Sequence, residues 1–250
     1  MTYNDLNAHP RDSRIHFNQE AHSYYVDCGD GTQLPCDSVT TVVDDLFEKF
    51  DVDYWAARKA TPGHSAEDIK KEWAEKGRQA RDLGTVMHDR IERHYLGHEP
   101  EPEALADPAF RNFMEFTRRV SLRPYRSEWR IYSEKYRIAG TLDFLAFDGS
   151  RFEIYDWKRS SKIVAFDGTP ITADRFGKTA HAPVGHVPDT TFHHYALQLS
   201  LYRYILETEY GIRVADGHLG TFHPDYDRPH VVHMPYLRDE VIAILEQRLK

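Results

Sequence analysis

The sequence predicts an α+β fold, with a central mixed sheet flanked by helices. Short segments with alternating apolar residues are typical of strands, and longer segments with apolar residues every three or four positions are typical of helices. Hydrophobic residues make up 40% and aromatic residues 13% of the 250 positions, which is enough for a buried core. No segment has the composition of a linker, so we expect one domain over residues 1–250, with an N-terminal hairpin and helical extension over about 1–64.

The first half of the chain predicts a hairpin followed by helices. Residues 15–27 alternate like a hairpin, and Asp30-Gly31 adds a turn signal. Ser38 or Thr40 is the expected cap of a helix, because both side chains can accept from the first free backbone N–H groups. The spacing of Ser65 and Asp68 matches a capping box. The expected helices cover residues 38–43, 52–60, 65–96 with a candidate break at Gly84, and 107–120, with a loop over 99–103.

The second half predicts most of the sheet. Three strands are expected over 126–132, 136–147 and 151–158. Residues 163–190 contain three prolines and three glycines, which predicts an ordered loop. A helix over 191–210 ends at Gly211, and two strands near 212–222 and 229–234 and a helix from 237 complete the chain.

Composition excludes several classes of protein. Lys and Arg number 32 against 40 Asp and Glu, so the formal charge of −8 excludes a uniformly basic nucleic-acid binder but not a local basic patch. No apolar run is long enough to span a membrane, and the first residues lack an apolar signal core or an Arg-rich, acid-free transit peptide. We therefore expect a cytoplasmic protein, or one of the host nucleus or cytoplasm if viral, without secretion. Two cysteines, Cys28 and Cys36, cannot ligate an iron–sulfur cluster or a four-thiolate zinc site, and we expect both to be reduced.

The segment from Ile138 to Lys158 carries the clearest chemistry. It is expected to form two strands joined by a tight turn at Asp148-Gly149-Ser150. With either Gly149-Ser150 or Asp148-Gly149 as the two-residue loop, Asp143 and Asp156 fall on one face of the sheet, and Lys158 shares it. Two adjacent carboxylates are costly to bury unless a cation lies between them, and a divalent metal with oxygen ligands would serve. A salt bridge from Lys158 to one aspartate at the sheet edge is an equally good explanation from spacing alone.

Asp143 followed by Asp156-Trp157-Lys158 resembles the core motif of the PD-(D/E)XK nuclease superfamily. The usual proline before the first aspartate is Leu142 here, which changes no ligand. Two further motifs resemble the RecB-like exonuclease branch: Gly84-Thr-Val-Met-His88-Asp-Arg-Ile-Glu92, and Gln198-Leu-Ser-Leu-Tyr202. The resemblance covers roughly residues 36–221. Within this branch, the motifs are most similar in pattern to those of the mitochondrial genome maintenance exonuclease group and its viral and phage relatives.

The resemblance implies a restriction-endonuclease-like core and specific roles for its residues. Asp143, Asp156, Lys158 and Glu128 would be catalytic, with Glu134 a rival to Glu128. One or two Mg²⁺ or Mn²⁺ ions would be held by His88, Asp143, Asp156 and the backbone carbonyl of Trp157. Nucleic-acid contacts would come from Gln198, Tyr202, Thr85, Ser38, Thr40 and Arg159. The spacing of His181, His186, His193 and His194 fits no common zinc template, so we expect no zinc.

Residues 111–137 are locally basic and contain several aromatic residues. Two interpretations remain open for this segment. It forms a basic lane with aromatic rings that hold a single strand of nucleic acid, or its aromatic rings face the core and its arginines are solvated. The loop over 163–190 carries Lys178, His181 and His186 and has the position to close over a substrate.

Together these observations predict a metal-dependent deoxyribonuclease, an exonuclease in replication, recombination or repair. Its expected partner is DNA, single-stranded or at a duplex end, with replication or recombination proteins as further candidates and no membrane. Two alternatives remain: an endonuclease of the same fold, and a catalytically silent nucleic-acid-binding protein. All the core catalytic positions hold competent residues, which argues against the silent alternative.

Overall fold

The computed structural model describes residues 1–19, 21 and 23–250, and over these residues the chain builds an eight-stranded sheet with helices against it. The helices are α1 (Tyr3–Leu6), α2 (Val39–Asp44), α3 (Val52–Lys59), α4 (Ala66–Tyr95), α5 (Pro102–Ala106), α6 (Pro108–Arg119), α7 (Thr191–Glu209) and α8 (Arg238–Gln247). The strands are β1 (Ile15–Asn18), β2 (Ser23–Asp27), β3 (Gln33–Ser38), β4 (Pro124–Ser133), β5 (Ile138–Phe147), β6 (Phe152–Lys158), β7 (Val214–Thr221) and β8 (His230–Met234). The predicted α+β class is confirmed.

Strand β5 is the centre of the sheet. β4 pairs antiparallel with β5 along almost its whole length, so β3 and β6 share the opposite edge of β5. β3 pairs parallel with Ile138 and Ala139, whereas β6 pairs antiparallel with Phe144 to Phe147. The β5 edge between these two pairings, residues 140–143, is a gap in the ladder. The strand order is β1-β2-β3-β5-β6-β7-β8, with β4 on the other edge of β5. The pairs β3–β5 and β6–β7 are parallel, and the other pairs of the described strands are antiparallel.

Two apolar clusters cover the two faces of the sheet. One face packs against α2, α7 and α8, with Leu145 and Ile154 of the central strands at its middle. The opposite face packs against α4 and α6, where Phe144 and Trp157 contact the phenylalanines of α6. Because residues alternate between faces along each strand, this division leaves Asp143 and Asp156 on the face covered by α7.

Most of the predicted elements are confirmed, including the hairpin of β1 and β2 and the capping box of Ser65 and Asp68. Ser38, rather than Thr40, caps α2 by accepting from Thr41 N–H. Gly211 follows α7 with a φ of 67°, a conformation that glycine adopts without strain. Both cysteines are free. No helix of the described residues has the length and apolar character to cross a bilayer.

Two predicted features in the helical region were wrong. α4 continues through Gly84 without a break, because one helical glycine costs only about 1 kcal/mol and the packing of Met87 and Ile91 outweighs it. The expected loop over 99–103 ends at Glu101, where Pro102 begins α5. Proline is well suited to a first helical position, since the N–H it lacks would have no partner there. The short helix α1 was not predicted.

The structure also decides between the two interpretations of the basic segment. Trp129 and Tyr132 are buried in the core, and Tyr125 and Tyr136 pack against it. Arg126 is 8% exposed and paired with Asp12, and Arg119 is paired with Glu115. The aromatic rings therefore do not form a solvent-facing lane, because β4, which pairs with β5 at the edge of the sheet, turns its large side chains into the core.

Gly140 lies in the gap of the ladder, directly against α7. A Cβ at this position would stand 2.7 Å from a ring carbon of Tyr202. We expect Gly140→Ala to lower the free energy of unfolding by about 1–3 kcal/mol, because Tyr202 is buried and has little room to move. Gly217→Ala is the matched control, since its Cβ would meet Leu199 at 3.5 Å, an ordinary contact. Equal urea midpoints for the two variants would contradict this account.

Candidate functional site

The turn between β5 and β6 sets the two aspartates opposite each other. Phe147 pairs with Phe152 and Phe144 with Tyr155, so the loop is Gly149-Ser150, the first of the two predicted registers. The Asp148 carboxylate accepts from the backbone N–H groups of Ser150 and Arg151 and closes this turn. Counting outward along both strands places Asp143 across from Asp156, at the edge of the gap.

Asp143 takes over a backbone role where the ladder ends. Its Oδ2 accepts the Trp157 N–H at 2.8 Å, so the carboxylate substitutes for the missing carbonyl of β5. Asp143 is 8% exposed, and an ionised side chain is tolerated at such a position only when it has charged or hydrogen-bonding partners. The residue therefore joins β5 to β6, and the same oxygen, Oδ2, faces His88 and Lys158.

Asp156 and Lys158 form a buried ion pair next to it. Asp156 is 0% exposed, and its Oδ2 lies 2.5 Å from Lys158 Nζ. Gln198 of α7 donates from Nε2 to Asp156 Oδ1 at 3.1 Å. Lys158 Nζ also lies 3.6 Å from Asp143 Oδ2 and 5.1 Å from the centre of the Tyr195 ring. The ammonium group is thus held between two carboxylates and an aromatic face.

His88, Glu128 and Asp143 form the group with metal-ligand geometry. His88 Nδ1 of α4 lies 3.6 Å from Glu128 Oε1 and 3.7 Å from Asp143 Oδ2. One ligand atom from each residue falls within 4.8 Å of the others. Neighbouring ligands at about 2.1 Å around an octahedral ion are about 3 Å apart, so the His88–Glu128 and His88–Asp143 separations are each within about 1 Å of the value that such an ion requires. A carboxylate pair with one imidazole suits Mg²⁺ or Mn²⁺.

The charges in this group are strongly coupled. Burial lowers the pKa of His88, but the carboxylates of Asp143 and Glu128 outweigh it and raise that pKa to about 9. Burial and the neighbouring Asp143 raise the pKa of Asp156. Burial opposes the charged form of Lys158, yet Asp143 and Asp156 raise its pKa above the usual range for lysine. The positive charges of the His88 imidazolium and the Lys158 ammonium therefore offset the negative charges of the neighbouring carboxylates.

The structure brings together the predicted residues His88, Glu128 and Asp143 in one group, and Lys158 lies between Asp143 of this group and Asp156. Asp156 lies deeper in the protein than this group and contacts Lys158 and Gln198. Glu134 lies elsewhere and pairs with Arg14. The choice of Glu128 over Glu134 therefore agrees with the geometry. Ligation by the Trp157 carbonyl stays a prediction.

The predicted nucleic-acid contacts divide into buried and accessible residues. Tyr202 is 3% exposed beneath Gly140, and Gln198 is 6% exposed on Asp156, so both support the site from inside the protein. Thr40 lies at the surface and lines a cavity of about 240 Å³ together with Tyr195 and Gln198. The remaining predicted contacts have local roles: Ser38 caps α2, the Thr85 hydroxyl donates to the Arg81 carbonyl, and the Arg159 side chain is half-buried with its Nε enclosed.

One residue of the site, Tyr195, and one backbone conformation, that of the predicted residue Glu128, were missed from the sequence. Tyr195 precedes Gln198 by three residues on α7 and so shares its helix face, a periodicity that predicts its place beside Lys158. Glu128 has a φ of 44°, in the left-handed region that is rare outside glycine. Nothing in the local sequence indicates that conformation.

Comparisons with known proteins assign no family to the chain. No protein-family model and no curated protein matches the sequence. Among solved structures, the chain is similar to the crystal structure of SSO0001, with 17% sequence identity and a TM-score of 0.34. That match covers 86% of this chain and 75% of the other.

The pKa of His88 predicts how metal affinity changes with pH. A metal ligand must be a neutral imidazole, so below a pKa of about 9 an ion has to displace a proton from His88. We expect Mn²⁺ affinity to rise about tenfold per pH unit between pH 6 and 8. Titration calorimetry in buffers of different ionisation enthalpy measures both the affinity and the proton released. His88→Gln should remove most of this slope, and a flat profile in the unsubstituted protein would contradict His88 as a ligand.

Proposed function

We propose that this protein is a divalent-metal-dependent deoxyribonuclease that hydrolyses DNA phosphodiester bonds, acting as an exonuclease. The observation that carries the proposal is the convergence of His88, Glu128 and Asp143 beside the Asp156–Lys158 pair at the gap in the sheet. The sequence resemblance to the RecB-like branch of the PD-(D/E)XK nucleases names the same residues. The geometry and the resemblance support the proposal from separate directions.

The donor set fits a hard divalent cation. His88, Glu128 and Asp143 offer one nitrogen and carboxylate oxygens, and the first two are 24% and 35% exposed at their side chains. The ligands are therefore reachable from solvent on one side, while Asp156 beneath them is fully enclosed. A Mg²⁺ or Mn²⁺ ion bound there would lower the pKa of a water molecule and offset charge on the phosphate.

Lys158 is placed to act as a fixed positive charge. Its ammonium contacts both aspartates and lies against Tyr195, which leaves little freedom of movement. With two carboxylates beside it, its pKa is raised, which favours the protonated form. We therefore assign Lys158 to orienting the scissile phosphate and offsetting its charge, rather than to removing a proton. A preorganised cation of this kind stabilises a transition state without reorganising solvent.

Gln198 and Tyr195 hold this arrangement from α7. The Gln198 amide fixes one oxygen of Asp156, which leaves the other oxygen for Lys158. The cavity next to them is bordered by Thr40 and Thr191, whose hydroxyl groups suit a phosphate or sugar. We propose that the DNA strand reaches the site through this cavity, as a single strand or at a duplex end.

A nuclease assay with matched substrates tests the proposal. The purified protein is incubated with end-labelled single- and double-stranded linear DNA and with closed circular DNA, in Mg²⁺, Mn²⁺ or EDTA. We expect metal-dependent loss of the linear substrates, with circles spared. Cleavage of circles would reassign the protein as an endonuclease. DNA binding without cleavage under either metal would overturn the catalytic proposal and leave a nucleic-acid-binding protein.

A further inference from the structure

Glu128 holds its place in the metal group through an unusual backbone. Its neighbours Ser127 and Trp129 pair with Phe144 and Leu142 of β5, so Glu128 stands across from Asp143. Its φ of 44° lies in the left-handed region, where an L-residue is strained. Such a conformation persists only when the surrounding structure holds it, and β5 supplies only one side of that support.

The other side is the segment Thr2–Asp12 at the start of the chain, here called the leading segment. Asn4 Oδ1 accepts the Ser127 N–H at 2.9 Å, and Asn4 Nδ2 donates to Ser127 Oγ at 3.3 Å. The Tyr3 hydroxyl lies 2.9 Å from the same Ser127 Oγ. Three polar contacts from two adjacent residues therefore converge on the residue immediately before Glu128.

Asp12 holds the residues on both sides of Glu128. Its Oδ1 accepts from Trp129 Nε1 at 2.7 Å, and its Oδ2 accepts from an Arg126 terminal nitrogen at the same distance, 2.7 Å. Arg126 is nearly buried, so its pairing with Asp12 is poorly replaced by water. One carboxylate thus bridges the chain across the strained residue.

A further contact connects the leading segment to the helix that carries His88. The Ser127 hydroxyl donates to Glu92 Oε1 at 3.2 Å, and Glu92 lies one turn after His88 on α4. The leading segment itself adds no buried side chain to the core over residues 2–12. Its polar contacts with β4 are concentrated on residues 125–129. His9 and Arg11 of the segment pack on the buried rings of Tyr132 and Tyr210, whereas Asn4 and Asp12 contact the residues next to Glu128.

We propose that Asn4 and Asp12 are positioning residues that hold Glu128 in its left-handed conformation, so that the leading segment sets the affinity of the site for a divalent metal. Glu128 then approaches His88 and Asp143 only while the leading segment is docked on β4. This inference rests on the proposed metal site. It assigns a role in metal binding to residues about 120 positions away from Glu128 in the sequence.

Mn²⁺ titration calorimetry at fixed pH tests the inference. Asn4→Ala and Asp12→Ala are each expected to weaken Mn²⁺ binding about 10- to 100-fold, the usual cost of losing a residue that orients a ligand. Asp12→Asn keeps an acceptor for Trp129 and should recover part of the loss. Arg14→Gln is the matched control, because it removes the Arg14–Glu134 ion pair near the leading segment without touching the neighbours of Glu128.

A second arm separates positioning from general loosening of the fold. In a Glu128→Gln background the carboxylate is already gone, so Asn4→Ala should cause no further loss of affinity. The inference would be overturned if Asn4→Ala lowered Mn²⁺ affinity by the same factor in both backgrounds, or if Asn4→Ala alone left the affinity unchanged. Either result would leave the metal site intact. Absence of Mn²⁺ binding by the unsubstituted protein would overturn the metal site itself, and the inference with it. If Asp12→Ala does not fold, Asn4→Ala and its double variant decide the result.

Discussion

Replacing Lys158 with alanine is expected to reduce the single-turnover rate of DNA cleavage by about 10²–10³-fold, nearly as much as Asp156→Ala. The ammonium lies 3.6 Å from Asp143 and 2.5 Å from Asp156, next to the group that would hold the metal. Its loss removes a fixed positive charge at the phosphate and leaves Asp156 without its ion-pair partner. A quenched-flow assay with excess enzyme and saturating Mn²⁺ measures the rate of the chemical step.

Lys71→Ala is the matched control for that experiment. Lys71 is an exposed lysine on the first half of α4, more than four helical turns before His88. Its removal changes the net charge by the same amount, so it should leave the cleavage rate within about twofold of the unsubstituted protein. Near-normal cleavage by Lys158→Ala, with the control also normal, would refute the role assigned to Lys158.

The same ion pair gives the largest expected effect on stability. Lys158→Met in the metal-free protein should lower the free energy of unfolding by about 3–5 kcal/mol, because a fully buried carboxylate is left without a cation. For a chain of this size this corresponds to a fall in Tm of about 2–4 °C for each kcal/mol. Differential scanning calorimetry in EDTA measures the change.

Adding Asp156→Asn to that variant should restore most of the lost stability. The asparagine removes the charge and keeps an oxygen for the Gln198 amide. Buried ion pairs are often replaced by neutral groups at little cost, so stability is expected to recover once the unpaired charge is removed. If the double variant is as unstable as Lys158→Met, the buried charge is not the cause and this explanation fails.

Short-range patterns were sufficient to predict the strands of the site. The turn residues between β5 and β6 and the alternation of side chains placed Asp143, Asp156 and Lys158 on one face, and the register agrees with one of the two considered. The capping signals at Ser38 and Ser65 predicted where α2 and α4 begin. These features depend on residues within a few positions of each other, which a single sequence displays directly.

Long-range contacts account for what could not be predicted. The aromatic residues of β4 alternate with arginines, and periodicity alone did not reveal that Trp129 and Tyr132 of this edge strand are both buried. The left-handed backbone of Glu128 depends on Asn4 and Asp12, more than 110 residues earlier. His88 was predicted as a metal ligand only because its segment resembles a family motif. Periodicity could not predict it, since α4 comes close to Asp143 only when the helix packs on the sheet.

The most direct test of the central claim is a crystal structure with Mn²⁺, whose anomalous scattering locates the ion independently of the protein model. We expect one strong anomalous peak within bonding distance of His88 Nδ1, Glu128 and Asp143, with Lys158 still paired to Asp156. The same crystals grown from Asp143→Asn should lose that peak. Millimolar Mn²⁺ with no peak between these three residues, in crystals where the site faces solvent, would contradict the assignment of this group as a metal centre.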